Sequence, residues 1–173
     1  MKKQAVFCMA AALSLLLTAC GSQTPQEEVS QALGIDVSSG QVISASDDHG
    51  GFHGDGTTFV QLQFSDSGVL EQIEESGRWE AFPLDRTAQA LVYGVTEEFG
   101  TEETGITVFQ DGPYLVDSDG DPLVSEIREG YYQLIDRHAE AGQSDILDRH
   151  SFNFTLALYV TETDTLYFCV LDT

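Results

Sequence analysis

From residue 152 onward, apolar side chains recur at every second position: Phe152, Phe154, Leu156, Leu158 and Val160, then Leu166, Phe168 and Val170. A period of two belongs to a β-strand, whose successive side chains point to opposite faces. Between the two runs, Glu162-Thr163-Asp164 turns the chain, so the pair reads as an antiparallel hairpin. A hairpin with so continuous an apolar face needs further strands beside it and an apolar layer over it. The segment Thr57–Phe64 supplies one such strand, with Val60, Leu62 and Phe64 on one face. Gln41–Ser46, Ile106–Phe109, Tyr131–Asp136 and, after the Gly112-Pro113 turn, Tyr114–Val116 read as others.

Helices are expected between the strands. Thr24-Pro25-Gln26-Glu27 has the form of a capping box with proline at the first helical position; Val29, Ala32 and Leu33 form its apolar stripe and Gly34 its stop. Ser65-Asp66-Ser67 offers cap chemistry for a helix carrying Val69, Leu70 and Ile73 and closing at Gly77. Asp85–Tyr93, ended by Gly94, turns Ala88, Leu91 and Val92 inward. Residues 96–104 hold four Glu and read as a solvated loop or helix end. Trp79, Phe82 and Pro83 read as core plugs between helices. The expected fold is α+β: one domain over 25–173, a mainly antiparallel sheet of hairpins and meanders with two or three short helices packed on one face.

The first twenty residues read differently. Met1-Lys2-Lys3 is a short positive start, and residues 5–17 form an apolar run interrupted by one Ser. A spanning helix needs about 20 apolar residues, so this run suits a signal-peptide core better than an anchor. It ends in Leu17-Thr18-Ala19-Cys20-Gly21, which resembles the lipobox of bacterial lipoproteins. The resemblance implies a signal peptide over 1–19, acylation of the Cys20 sulfur, and a lipidated residue plus short tether over 20–24. It also implies a place on the extracytoplasmic face of the cell membrane, held through the lipid on Cys20. Two acyl chains hold a protein on a bilayer where one does not, at about 0.8 kcal/mol per buried CH₂.

Charge narrows the partners. The chain has 29 Asp and Glu against 7 Lys and Arg. Loss of the leader would remove both Lys and leave five Arg and no Lys to balance those acids. Nucleic acid is excluded as a partner bound through counterion release, which needs a basic face. An anionic leaflet repels such a domain, so only the lipid would hold it there. Of the three Cys, Cys8 lies in the leader and Cys20 in the lipobox, so Cys169 stands alone and no internal disulfide is expected.

Three segments hold candidate chemistry. Asp47 to Gly56 packs two His, three Asp and four Gly into ten residues. His49, His53, Asp55 and Asp48 are of the types that ligate a divalent ion, with glycines letting a loop fold around it. No other cofactor is expected. The plainer reading is a long hairpin loop whose side chains satisfy backbone groups. Asp117-Ser118-Asp119-Gly120-Asp121-Pro122 alternates Asp like a calcium loop, but Pro122 replaces the required Gly and Arg128 the bidentate Glu, so an acidic turn is expected. Finally, Asp136-Arg137-His138 and Asp148-Arg149-His150 repeat one tripeptide. Their arginines either pin the intervening loop by ion pairs or form an anion site from Arg137 and Arg149. No nucleophile motif is present, and Cys169 reads as a small core residue.

The domain as a whole, through the His-Gly-Gly-Phe-His-Gly-Asp-Gly loop, the Asn153–Tyr159 strand and its Leu166-Tyr167-Phe168 return, is similar to small bacterial lipoproteins with no activity attached to them. That resemblance implies placement and unity of domain, not mechanism. Two function classes follow. One is a lipid-anchored, non-enzymatic module binding a protein or small-molecule partner. The other is a divalent-metal-binding or metal-dependent hydrolytic domain centred on the 47–56 loop.

Overall fold

A computed structural model describes residues 23–50, 54–101, 103–138, 141–142 and 144–173. The segment 1–19, expected as a signal peptide, and Cys20 therefore lie outside the described residues, as does His53. Six strands form one sheet: β1 (Gln41–Asp47), β2 (Gly56–Gln63), β3 (Glu80–Ala81), β6 (Gly130–Asp136), β7 (Asn153–Val160) and β8 (Thr165–Asp172). Their order is β1-β2-β8-β7-β6-β3, and every neighbouring pair runs antiparallel. The remaining two, β4 (Val95–Thr101) and β5 (Gly105–Asp111), pair only with each other.

The expected hairpin is β7–β8, with Leu156 opposite Cys169 and Leu158 opposite Tyr167 on one face. The residues between them are buried too: Thr155, Ala157 and Tyr159 on β7, Leu166 and Phe168 on β8. Alternation therefore marks two apolar layers rather than a core side and a wet side. On one side, Ala157, Tyr159, Leu166 and Phe168 pack with Val29 and Leu33 of α1 (Pro25–Leu33) and Val69 and Ile73 of α2 (Gly68–Ser76). On the other, Phe154, Leu156, Leu158 and Cys169 meet Ala88, Leu91 and Val92 of α3 (Arg86–Val92), with Leu115, Val124 and Ile146 from the connecting segments. The α+β antiparallel domain is as read from the sequence. Two helices share one face, and the third takes the opposite one because β7 and β8 expose apolar side chains both ways.

Local signals account for the helices. At α1 the capping box closes in both directions, Glu27 N–H donating to Thr24 Oγ1 (3.2 Å) and Thr24 N–H to Glu27 Oε2 (2.9 Å). Asp85 Oδ1 accepts from Ala88 N–H (2.7 Å) at the start of α3. At α2 the residue that accepts is Asp66, from Gly68 N–H (2.9 Å), while Ser67 turns its hydroxyl to Glu71 (3.1 Å). Tyr114–Val116 is not a strand; Val116 makes one isolated bridge to Pro122. Across the acidic turn, Asp117 Oδ1 accepts from Asp119 N–H (2.9 Å) and Asp121 N–H (3.0 Å), so this carboxylate serves the turn's own backbone.

Cys169 is fully buried, and burial pushes its thiol up to about 12. A chain starting after Cys20 carries this single thiol. It should resist a thiol reagent at pH 8 in the native state and react at once in denaturant; labelling of the native form at a free-thiol rate would contradict the packing.

Candidate functional site

Two regions of the described surface combine unusual side chains with defined geometry. The first is a corner where the end of β1, the start of β2 and the end of β8 meet. His49 follows β1 and sits between two carboxylates, with Nδ1 at 2.6 Å from Asp47 Oδ1 and Nε2 at 3.2 Å from Asp172 Oδ2. Asp172 in turn accepts from Arg137 Nη2 (2.8 Å), which also donates to the Phe154 carbonyl (3.1 Å). The result is a row of alternating acidic and basic side chains, Asp47–His49–Asp172–Arg137, beside an open cleft of about 370 Å³ that α1 borders through Glu28 and Ala32. The hydrogen bond from His49 holds the Asp47 carboxyl below the usual carboxylate range.

Thr58 Oγ1 stands 3.3 Å from His49 Nδ1 and 3.4 Å from Asp47 Oδ1. Hydroxyl, imidazole and carboxylate are the parts of a nucleophilic triad, but there the hydroxyl and the carboxylate meet opposite ring nitrogens. Here both meet Nδ1, and Nε2 faces a second carboxylate. What the arrangement can do is brace: it ties the β1 end to the final strand. Gly56 is required for this approach, since a Cβ there would lie 2.4 Å from His49 Cα.

The other members of the predicted metal set are placed differently. Asp48 Oδ1 accepts from Thr57 N–H, and the Asp48 N–H donates to Thr57 O (3.2 Å). Asp55 is exposed, its carbonyl accepting from Gly50 N–H (3.3 Å). Among the described residues, no three His, Cys, Asp or Glu side chains stand where one metal ion would join them.

The two predicted anion-site arginines each hold a carboxylate of their own chain, Arg137 that of Asp172 and Arg149 that of Asp136. Arg149 is nearly buried and grips Asp136 through both fork nitrogens (2.9 and 2.8 Å), and its Nε and Nη2 reach Ser144 Oγ (3.1 Å) and the Ser144 carbonyl (2.7 Å). Arg149 beside it holds the Asp136 carboxyl below the usual range. This is the pinning role: the guanidinium fixes the segment between β6 and β7 to the end of β6.

The second region is the arm made by β4 and β5. Four of the five large hydrophobic side chains exposed among the described residues lie on it: Phe99, Ile106, Val108 and Phe109, each more than half exposed. Register sets Phe109 against Glu97 and Val108 against Glu98, so each face of the arm pairs an acid with an apolar side chain. Its tip closes through Thr101 and Thr104, the Thr101 N–H donating to Thr104 Oγ1 (2.9 Å). Gly100, at φ +110, lets the strands approach, as a Cβ would lie 2.1 Å from the Gly105 carbonyl oxygen. At its root the arm is fixed to α3: Arg86 Nε bonds Glu97 (3.0 Å) and Nη2 stands 3.9 Å from buried Asp111, whose Oδ1 accepts from Tyr114 (2.6 Å).

β5 lies where a strand is expected, whereas 96–101, expected as part of a solvated loop or helix end, belong to β4. The four Glu carry that reading, and two of them, Glu97 and Glu98, lie on β4, a strand largely open to solvent. The overlooked signal is period two over Val95, Glu97, Phe99 and Thr101, followed by a glycine turn.

Comparison with protein-family models, with curated proteins and with solved structures returns no match. The site therefore stands on its own geometry.

Two substitutions test this description. Arg149→Ala should lower unfolding free energy by about 2 kcal/mol near neutral pH, the scale of hydrogen bonds to a charged group. Because the folded Asp136 carboxyl is depressed, its stabilisation is complete above the ordinary carboxyl value and is lost as pH falls through the depressed one. The gap between parent and variant should thus close on acidification below about pH 4, read by denaturant melts across pH. Gly56→Ala should cost about 1–3 kcal/mol by overpacking His49; an unchanged melting midpoint would contradict the corner.

Proposed function

We propose that this chain is a lipid-anchored protein of the extracytoplasmic membrane face that works as a non-enzymatic interaction module, with the β4–β5 arm as its contact element. The carrying observation is the arm itself. It lies outside the six-stranded sheet and gathers most of the exposed large hydrophobics of the described surface. Apolar groups so concentrated and so far from the core add nothing to burial; on a soluble domain they mark a surface that another molecule covers. Placement rests on the lipobox-like Leu17–Cys20 and on the acidic balance, which leaves the lipid as the attachment to an anionic bilayer. No helix among the described residues is long and apolar enough to cross a membrane.

Both parts are open to direct test in cells. Cys20→Ala should move the protein from the membrane to the soluble or uncleaved precursor fraction and abolish its acyl mass increment. A photo-crosslinking residue at position 108 should give a discrete adduct, one at position 43 on the exposed edge of β1 should not, and Phe99→Ser/Phe109→Ser should remove the adduct. Adducts equal at the two positions, or none, would overturn the arm as contact element.

A further inference from the structure

The protein has several exposed strand edges, and they are not alike. An edge strand offers unpaired backbone groups to any passing chain, and native sheets blunt such edges by shortness, bulges or charge. In the six-stranded sheet, β3 is an edge of two residues. The other edge, β1, breaks its register between Val42 and Ser44 and ends in Asp47. On the arm, β4 carries Glu97 and Glu98, with Arg86 seated at Glu97. The outer edge of β5 has no such device over Gly105–Gln110; its one charged residue, Asp111, is buried at the root of the arm. Gly105-Ile106-Thr107-Val108-Phe109-Gln110 is uncharged, unbroken in register and rich in residues that favour strands, and β5 has no second neighbour among the described residues.

Resting on the reading of the arm as contact element, we propose that β5 accepts an added antiparallel or parallel strand from a cationic partner, an extended segment in which Lys or Arg is interspersed with apolar residues. Strand addition supplies affinity through the backbone and specificity through alternate side chains. The charge sign comes from the surroundings. Residues 87–127 contain no Lys or Arg, while the arm alone holds Glu97, Glu98, Glu103 and Asp111. Neighbouring strands lie about 4.8 Å apart, so an added strand is one strand removed from Glu97 and Glu98. A Lys or Arg on it would cover Val108 with its aliphatic stem and carry its charge toward Glu98, which shares that face, whereas Glu97 is already held by Arg86. A second copy of this chain would bring an equally uncharged β5 and the same excess of acid, so charge favours the foreign strand.

The test uses the full chain in mild detergent and a synthetic probe, Lys-Val-Lys-Ile-Lys-Val-Lys, titrated by calorimetry and backbone NMR. Binding in the micromolar range is expected, with shifts centred on 105–110 and weakening as salt rises. Val108→Lys, a change at an exposed position, should weaken it at least about tenfold by guarding the edge and repelling the probe, and Ile43→Lys should leave it unchanged. The same peptide N-methylated through its core keeps its charge and should lose binding. Equal binding of the methylated peptide, or no loss in Val108→Lys, would reduce the effect to charge attraction and overturn strand addition. A homodimer dissociated by Val108→Lys would overturn the cationic partner in favour of self-pairing. An arm adduct in cells without any peptide binding would overturn this inference while sparing the contact reading; absence of both would overturn both.

Discussion

The structure depends on one hairpin being buried from two sides. β7 and β8 run through the middle of the sheet, and between Phe154 and Tyr159 nearly every side chain is sealed from solvent. A strand buried on both faces demands two covers. One is α1 with α2, the other α3 with the connecting segments around Leu115, Val124 and Ile146. The three-layer arrangement follows from this demand, as does the need for Tyr159, in the interior, to find a partner for its hydroxyl. It finds Asp164 at 2.9 Å, which fixes the hairpin turn, and burial with that bond raises the phenol above its ordinary range.

Much of this was legible in order along the chain, because the strongest signals are local. Capping at Thr24, the stops at Gly34 and Gly77, and the period of two over β2, β7 and β8 each depend on a few neighbouring residues. What was hidden depends on residues far apart. Nothing near Thr155 or Ala157 says that these small side chains face a second apolar layer, since either would be at home on a half-wet face. The position of α3 opposite the other helices follows from that unseen layer. At β4 the failure was of another kind: Glu is depleted in ordinary strands, and the arm is no ordinary strand pair, having solvent on both sides.

The charged side chains show a similar division. The repeated Asp-Arg-His tripeptide gave the right residues but two possible tasks, and only distances separate them. In Arg149, four donor contacts to Asp136 and Ser144 consume the fork geometry that an external anion would need. At the His49 corner, composition suggests a ligand set, and the described contacts place the imidazole between the ends of two strands. In a chain with 29 acids, a cation is scarce and its position is correspondingly informative. Arg78 caps α1 by donating to the Leu33 carbonyl (2.6 Å), Arg86 fixes the arm, Arg137 and Arg149 fix the segments leaving β6. Each of these four joins elements distant in sequence or closes an element's end.

The split of the helices between two faces also sets a direction. α1 begins five residues after Cys20 and lies on one side of the sheet; α3 and the root of the arm lie on the other. On the proposed anchoring, the chain hangs from its lipid by the α1 side. The sheet then separates α1, the helix nearest the proposed lipid in sequence, from α3 and the root of the arm.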